Sequence, residues 1–277
     1  MQISATSGTC SAYKRSEAFL KTGYAKQARQ YRQDDEIEVT TEHHRHLRGI
    51  LESLSESFGH PIRVLDAGCG TGRYFHCIRN ASELVGLDLC RQMLDEARSP
   101  VLSGSISVRN ITLMGANIFE ASFPPGSFDL IYSLGMFALG CPISPEICGK
   151  FYEWLTPGGK LFFNVTDRAG ISWRALARQH VRGLVYRLSP KSVRDLLDER
   201  SNNIEVCALR IDELAALMSQ TPFGRCRIVS EPCASPLWHG RHLECLARKQ
   251  EIYRRHSIVE HSWPEIGKEI PHSIESA

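Results

Sequence analysis

"VLDAGCGTGRYF", residues Val64–Phe75, decides how this chain is read. An apolar run ends at Asp66, and Gly68, Gly70 and Gly72 follow at alternate positions. The chain then resumes as RYFHCIRN (73–80), which reads as a helix. Glycine tolerates backbone angles that other residues resist, so one reading is a tight turn between a buried strand and that helix. The other is a turn stripped of side chains so that a ligand can lie against its amides at the helix N-terminus.

Downstream, short apolar runs alternate with amphipathic ones. ELVGLD (83–88), RNITLMGAN (109–117), FDLIYSL (128–134) and GKLFFNVT (159–166) read as strands, with CRQMLDEARS (90–99) and PEICGKFYEWL (145–155) as helices among them. Two last strands, GRCRIVSEP (224–232) and RHLECLARK (241–249), follow a helix at IDELAALMSQ (211–220). The alternation predicts a doubly wound, mostly parallel, seven-stranded α/β sheet covered on both faces. In such sheets ligands sit beyond the carboxyl ends of the strands where the strand order reverses, which is where the glycine turn would lie.

Upstream, Leu47, Ile50, Leu51 and Leu54 recur at i, i+3, i+4 and i+7, one apolar stripe of a helix. HHRH (His43–His46) offers metal-binding residue types, but adjacent histidines on a helix point to different faces. A solvated face is the expected setting. With 277 residues, 42% hydrophobic and 23% charged, the chain has the composition of a globular protein. A net charge of +2 gives no global nucleic-acid or membrane footprint. No run approaches the roughly 20 apolar residues of a membrane span. The N-terminus has no apolar export signal, and the ten cysteines are scattered without a CxxC pair, so reduced thiols and a cytoplasmic location are expected. Cys69 then reads as a small residue of the turn, not a nucleophile.

Two nucleotide fingerprints fail. GxGxxG needs a glycine where Arg73 stands, and no GxxxxGK[ST] occurs. What remains is D-x-G-x-G-x-G after the first strand with Asp88 closing the second. This resembles the class I S-adenosylmethionine-dependent methyltransferases of small-molecule type, and four further stretches stand in that family's order. They are YAKQARQY (24–31), VGLDLCRQMLDEAR (85–98), GANIFEASFPPGSFDLIYS (115–133) and FYEWLTPGGKLFFNV (151–165). The likeness covers residues 24–166 closely and 205–248 loosely. It implies an N-terminal helical cap (1–60), a methyltransferase domain (61–167 and 205–250), a basic helical insertion after strand five (168–204) and a tail (251–277).

The resemblance also implies roles. Gly68, Cys69 and Gly70 would bring the backbone close to the methionine part of S-adenosylmethionine, and Asp66 would reach towards its ammonium. Asp88 would accept both ribose hydroxyls, Leu89 and Ile118 would sandwich adenine, and Ser133 would face the methionine end through its backbone. Tyr24 and Tyr31 would close over the cofactor. Helix capping competes for the two acids, and ordinary packing for the leucine, the isoleucine and the tyrosines. The chain departs from the pattern at Asn117, where the family usually has Asp, and at MFALGCP (136–142), where many relatives carry a Glu-His or His-His pair.

The methyl acceptor is less legible. Residues 168–200 hold eight Arg or Lys against three acids. Arg178 and Arg182, with Met136, are candidates for binding an anionic small substrate, and His180 is a candidate base. A solvated helical face, an anionic membrane or an RNA are the competing readings of the basic run. The NPPY-type motif of base and amide-nitrogen methylators is absent, which argues against nucleic-acid substrates. A regulatory protein that binds the cofactor without turning it over is the remaining alternative.

Overall fold

The structure, a computed structural model, describes residues 9–138, 141–171, 181, 184–185, 188–193, 207–235 and 239–250. In chain order the elements are α1 (Thr9–Glu38), α2 (Glu42–Glu56), β1 (Ile62–Ala67), β2 (Ala81–Asp88), α3 (Arg91–Ala97), β3 (Ile111–Gly115), β4 (Phe128–Ser133), α4 (Pro145–Trp154), β5 (Leu155–Asp167), β6 (Ala208–Leu209), α5 (Ile211–Ser219), β7 (Cys226–Ala234) and β8 (His239–Arg248). The sheet runs β3-β2-β1-β4-β5-β8-β7, with the two-residue β6 pairing β5 off that path. The first five strands pair in parallel, while β8 lies antiparallel to both β5 and β7. All seven strands expected from sequence are present. The short β6 is an addition.

Side chains alternate between the sheet faces with period two, so one strand feeds two cores. Leu65, Ile131 and Phe163 enter one, with Ile147, Phe151 and Trp154 of α4 and Leu214 of α5. Their neighbours Val64, Leu130 and Phe162 enter the other, beneath Leu47, Leu51 and Leu54 of α2. The strand order reverses between β1 and β4, the first strand having β2 on one side and β4 on the other. The carboxyl ends of β1, β2 and β4 converge there, carrying the acids and glycines singled out above.

Two expectations are overturned. RYFHCIRN is not an α-helix: only Phe75–Cys77 makes a 3-10 turn. The apolar stripe of α2 already covers this face of the sheet, so Phe75, Cys77 and Ile78 pack beneath it as a turn. With no α-helix behind the glycine turn, there is no helix terminus there for a ligand to meet. HHRH is not a solvated face either. His43 and His44 are both buried, because the two faces of α2 they point to are both covered, while Arg45 is exposed and His46 reaches solvent, bonded to Glu244 at 3.0 Å. The segment expected to be a basic insertion falls largely outside the described residues, as do the tail and His180, Arg178 and Arg182. Among the described residues no helix is long and apolar enough to cross a membrane.

Candidate functional site

The glycine turn requires its glycines. Gly68, Gly70 and Gly72 have φ of +81°, +52° and +77°, in the left-handed region that side chains disfavour. The amides of Gly68 and Cys69 donate to the Leu87 carbonyl at 2.7 and 3.0 Å, which draws the turn onto the end of β2. A Cβ on Gly68 would lie 2.7 Å from Met136, whereas one on Gly70 would meet nothing within 4 Å. The turn is therefore roofed by Met136 over its first glycine and open at its second.

Asp88 ties the turn to the second strand. Its Oδ2 accepts the Gly70 amide and its Oδ1 the Cys90 amide, both at 2.8 Å. Burial raises the carboxyl above its ordinary range, and these backbone amides oppose the shift.

Asp66 stands on β1 opposite Tyr132 of β4. It is 2% exposed, and its Oδ2 has no hydrogen-bond partner. Burial pushes it up to about 8; the Tyr132 hydroxyl opposes and Asp88 adds to the rise. Ser133 is buried, and its hydroxyl donates to the Ala67 carbonyl at 2.7 Å, fastening the ends of β4 and β1 together. The Cys69 thiol is pushed well up by burial, which keeps it in the unreactive form.

Around this centre the other expected residues divide. Tyr24 and Tyr31 meet at 5.9 Å between ring centroids and pack with Ala28 against Cys90 and Met93. Burial raises the Tyr24 phenol, with Tyr31 and the Asp88 carboxylate adding to the rise. Leu89 lines an open groove of about 620 Å³ with Thr22, Ala25 and Lys26 of α1 and Arg91 and Gln92 of α3. Ile118 is instead part of the core under α4. Asn117 Oδ1 accepts the Phe119 amide at 3.0 Å, a local turn bond.

Two arrangements were not foreseen. Asp35, fully buried on α1, accepts hydrogen bonds from the Thr71 hydroxyl and from Arg73 Nε, the latter at 2.5 Å. Asn164, buried on β5, accepts the Gly135 amide at 2.8 Å and so holds the loop that carries Met136. Nothing local marks either residue, since the partners lie 29 to 38 positions away.

Residues 64–159 match the family model described as a methyltransferase domain. Phosphoethanolamine N-methyltransferase 3 of Arabidopsis thaliana is 34% identical over 107 residues, which are 38% of this chain and 21% of that protein. A ubiquinone biosynthesis O-methyltransferase of Idiomarina loihiensis is 31% identical over 141 residues, 50% of this chain and 56% of that one. The chain thus spans about half or less of the length of these relatives. Among solved structures, an S-adenosylmethionine-dependent methyltransferase from Thermotoga maritima superposes with a TM-score of 0.51 at 15% identity, covering 83% of this chain and 99% of that one. The fold likeness and the domain match agree with the strand order and the glycine turn. Residues 64–159 thus carry a match to a methyltransferase domain, on a fold like that of the S-adenosylmethionine-dependent methyltransferase from Thermotoga maritima.

Proposed function

We propose that this chain transfers the methyl group of S-adenosylmethionine to an oxygen or nitrogen of a small or medium metabolite. The observation that carries the reading is the pairing of the open Gly70 turn with Asp88, beside a buried Asp66 oxygen that lacks a partner. These residues suit the cofactor. Gly68, Cys69 and Gly70 would pass its methionine part, and the lone Asp66 Oδ2 would take its ammonium. Asp88 would face the ribose hydroxyls, with Tyr24 and Tyr31 alongside. Leu89, on the wall of the groove, fits the adenine position; Asn117 and Ile118 would complete it from the β3 side, and the Ser133 backbone would border the methionine end.

The cofactor supplies a methyl group on a sulfonium, which leaves as a neutral thioether. The protein's part is to bind, align and keep water out, and alignment alone is worth several kcal/mol on the order of magnitude seen for oriented intramolecular reactions. Met136 lies over Gly68 on the loop held through Gly135 and Asn164, and would border the acceptor. Phosphoethanolamine and ubiquinone precursors, the substrates named for two relatives, support a small-molecule acceptor and leave both O and N in play.

Calorimetric titration of S-adenosylmethionine and S-adenosylhomocysteine into wild type and Asp88→Ala tests the reading. Wild type is expected to bind both. The variant should bind at least tenfold more weakly, since each hydrogen bond to a charged acceptor is worth about 1.5–3 kcal/mol. Absence of binding to wild type overturns the proposal. S-adenosylhomocysteine formed on adding candidate acceptors then identifies the substrate.

A lipid acceptor is the second reading. Val181, Leu184, Val185 and Leu188 are helical and exposed, at i, i+3, i+4 and i+7. Such a stripe on a basic segment suits a lipid surface. Turnover that requires lipid vesicles would favour it.

A further inference from the structure

Behind the glycine turn, three buried atoms with lone pairs converge. They belong to His44 of α2 and to His76 and Cys77 of the 3-10 turn after β1, all three buried. Nε2 of His44 and Nε2 of His76 are 3.2 Å apart, and Cys77 Sγ lies 3.5 Å from the second and 3.9 Å from the first. A hydrogen-bonded imidazole pair needs only the first of these approaches. It does not account for a sulfur facing both nitrogens.

Atoms at those separations lie about 2.1 Å from one common centre, close to zinc–nitrogen bonds of about 2.0–2.1 Å and a zinc–sulfur bond of about 2.3 Å. A tetrahedral zinc with such bonds would space its nitrogens by about 3.3 Å and nitrogen from sulfur by about 3.6 Å.

We propose that His44 Nε2, His76 Nε2 and Cys77 Sγ form a binding site for a thiophilic ion, zinc(II), which clips α2 to the segment that follows the glycine turn. On binding, the Cys77 thiol releases its proton to solvent and the thiolate becomes the third ligand. The fourth coordination position is left for water or a small anion. Three arginines oppose a cation here: Arg73 and Arg48 act on His44, Arg48 and Arg79 on His76. Glu52 bonds both Arg48 and Arg79, at 2.9 and 2.8 Å, and offsets part of that charge. The thiolate is needed to offset the rest, so the site should fail without Cys77 rather than merely weaken. The inference does not depend on methyl transfer.

A second buried trio, His43, Cys233 and His242, sits on the other side of α2 and is the rival location. The test is titration of the chelator-treated full chain with cobalt(II), the spectroscopic stand-in for zinc. Wild type should bind one equivalent with a thiolate-to-cobalt charge-transfer band and the intense visible bands of low coordination, and zinc should bleach both. Cys77→Ser should lose the charge-transfer band, His44→Gln should bind at least tenfold more weakly, and Cys233→Ser should keep the wild-type spectrum. Far-UV circular dichroism checks that each variant is folded. The proposal is overturned if folded wild type gives no band, if the band survives Cys77→Ser, or if it vanishes in folded Cys233→Ser. Should Cys77→Ser fail to fold, the His44→Gln and Cys233→Ser arms decide between the two trios.

Discussion

Asp35 on α1 grips Arg73 at 2.5 Å, in the position where a dinucleotide-binding turn would have its third glycine. The same carboxylate takes the Thr71 hydroxyl, so one buried acid holds both residues that flank Gly72. The N-terminal helix is thereby bolted to the glycine turn. Removing one partner of a buried pair leaves the other uncompensated, and with Arg73 a quarter exposed the expected cost of Asp35→Ala is about 2–4 kcal/mol. Urea unfolding of Asp35→Ala, Arg73→Ala and the double variant should give strongly non-additive changes. Additive changes would mean that the pair contributes nothing to fixing the helix.

The contact between Gly68 and Met136 predicts a second non-additivity. Gly68→Ala meets both a positive φ and the Met136 side chain, whereas Gly70→Ala meets only the φ. The strain of a left-handed alanine is about 1–2 kcal/mol, so Gly70→Ala should cost about that and Gly68→Ala more. Met136→Ala removes Cγ and Sδ but keeps the Cβ at 2.7 Å, so it should recover part of the excess in Gly68→Ala and nothing in Gly70→Ala. Thermal unfolding of the three single variants and the two double variants checks it.

How much of this was legible in the sequence follows from where the signals reside. The central strands could be read because they are largely buried on both faces and so appear as apolar runs bounded by turns; β1, Ile62–Ala67, and β4, Phe128–Ser133, show it. The acids closing β1 and β2 were legible from their place beside the glycines. The absent helix at RYFHCIRN was not: Phe75 and Ile78 have helical spacing, and only the prior claim of α2 on that sheet face turns them into a packed turn. His43 and His44 were misjudged for the same reason, since what covers a helix face is a tertiary fact. Asp35 and Asn164 take partners far along the chain, and no local pattern announces such a bond.

Asn164 offers a way to separate binding from turnover. Its side chain holds the Gly135 amide, and through it the loop bearing Met136. Asn164→Ala leaves that amide unpaired, at a cost of about 1–3 kcal/mol. If the loop borders the acceptor, the variant should keep S-adenosylmethionine affinity within about threefold and lose tenfold or more in turnover. Equal losses in both would place the loop at the cofactor instead.

Asp66 sets a pH dependence whose sign can be worked out. Burial lifts its folded pKa to about 8 against an ordinary 3.8. Between those values the folded chain keeps a proton that the unfolded chain has lost, so this group's contribution to stability declines as pH rises from about 4 to about 8 and is level above that. Asp66→Asn has no such proton. Relative to wild type, the variant should therefore gain stability steadily across that interval, by on the order of 10 °C in Tm at pH 8. Cofactor binding should move the opposite way: the ammonium partner is lost, and the variant should bind S-adenosylmethionine more weakly at every pH. In wild type an approaching ammonium favours the ionised carboxylate, so affinity should rise between pH 6 and 8 with release of a proton, measurable by calorimetry in buffers of different ionisation enthalpy. A stability difference that does not change with pH would show that Asp66 is ionised in the folded chain throughout, with the Tyr132 hydroxyl as its compensating donor.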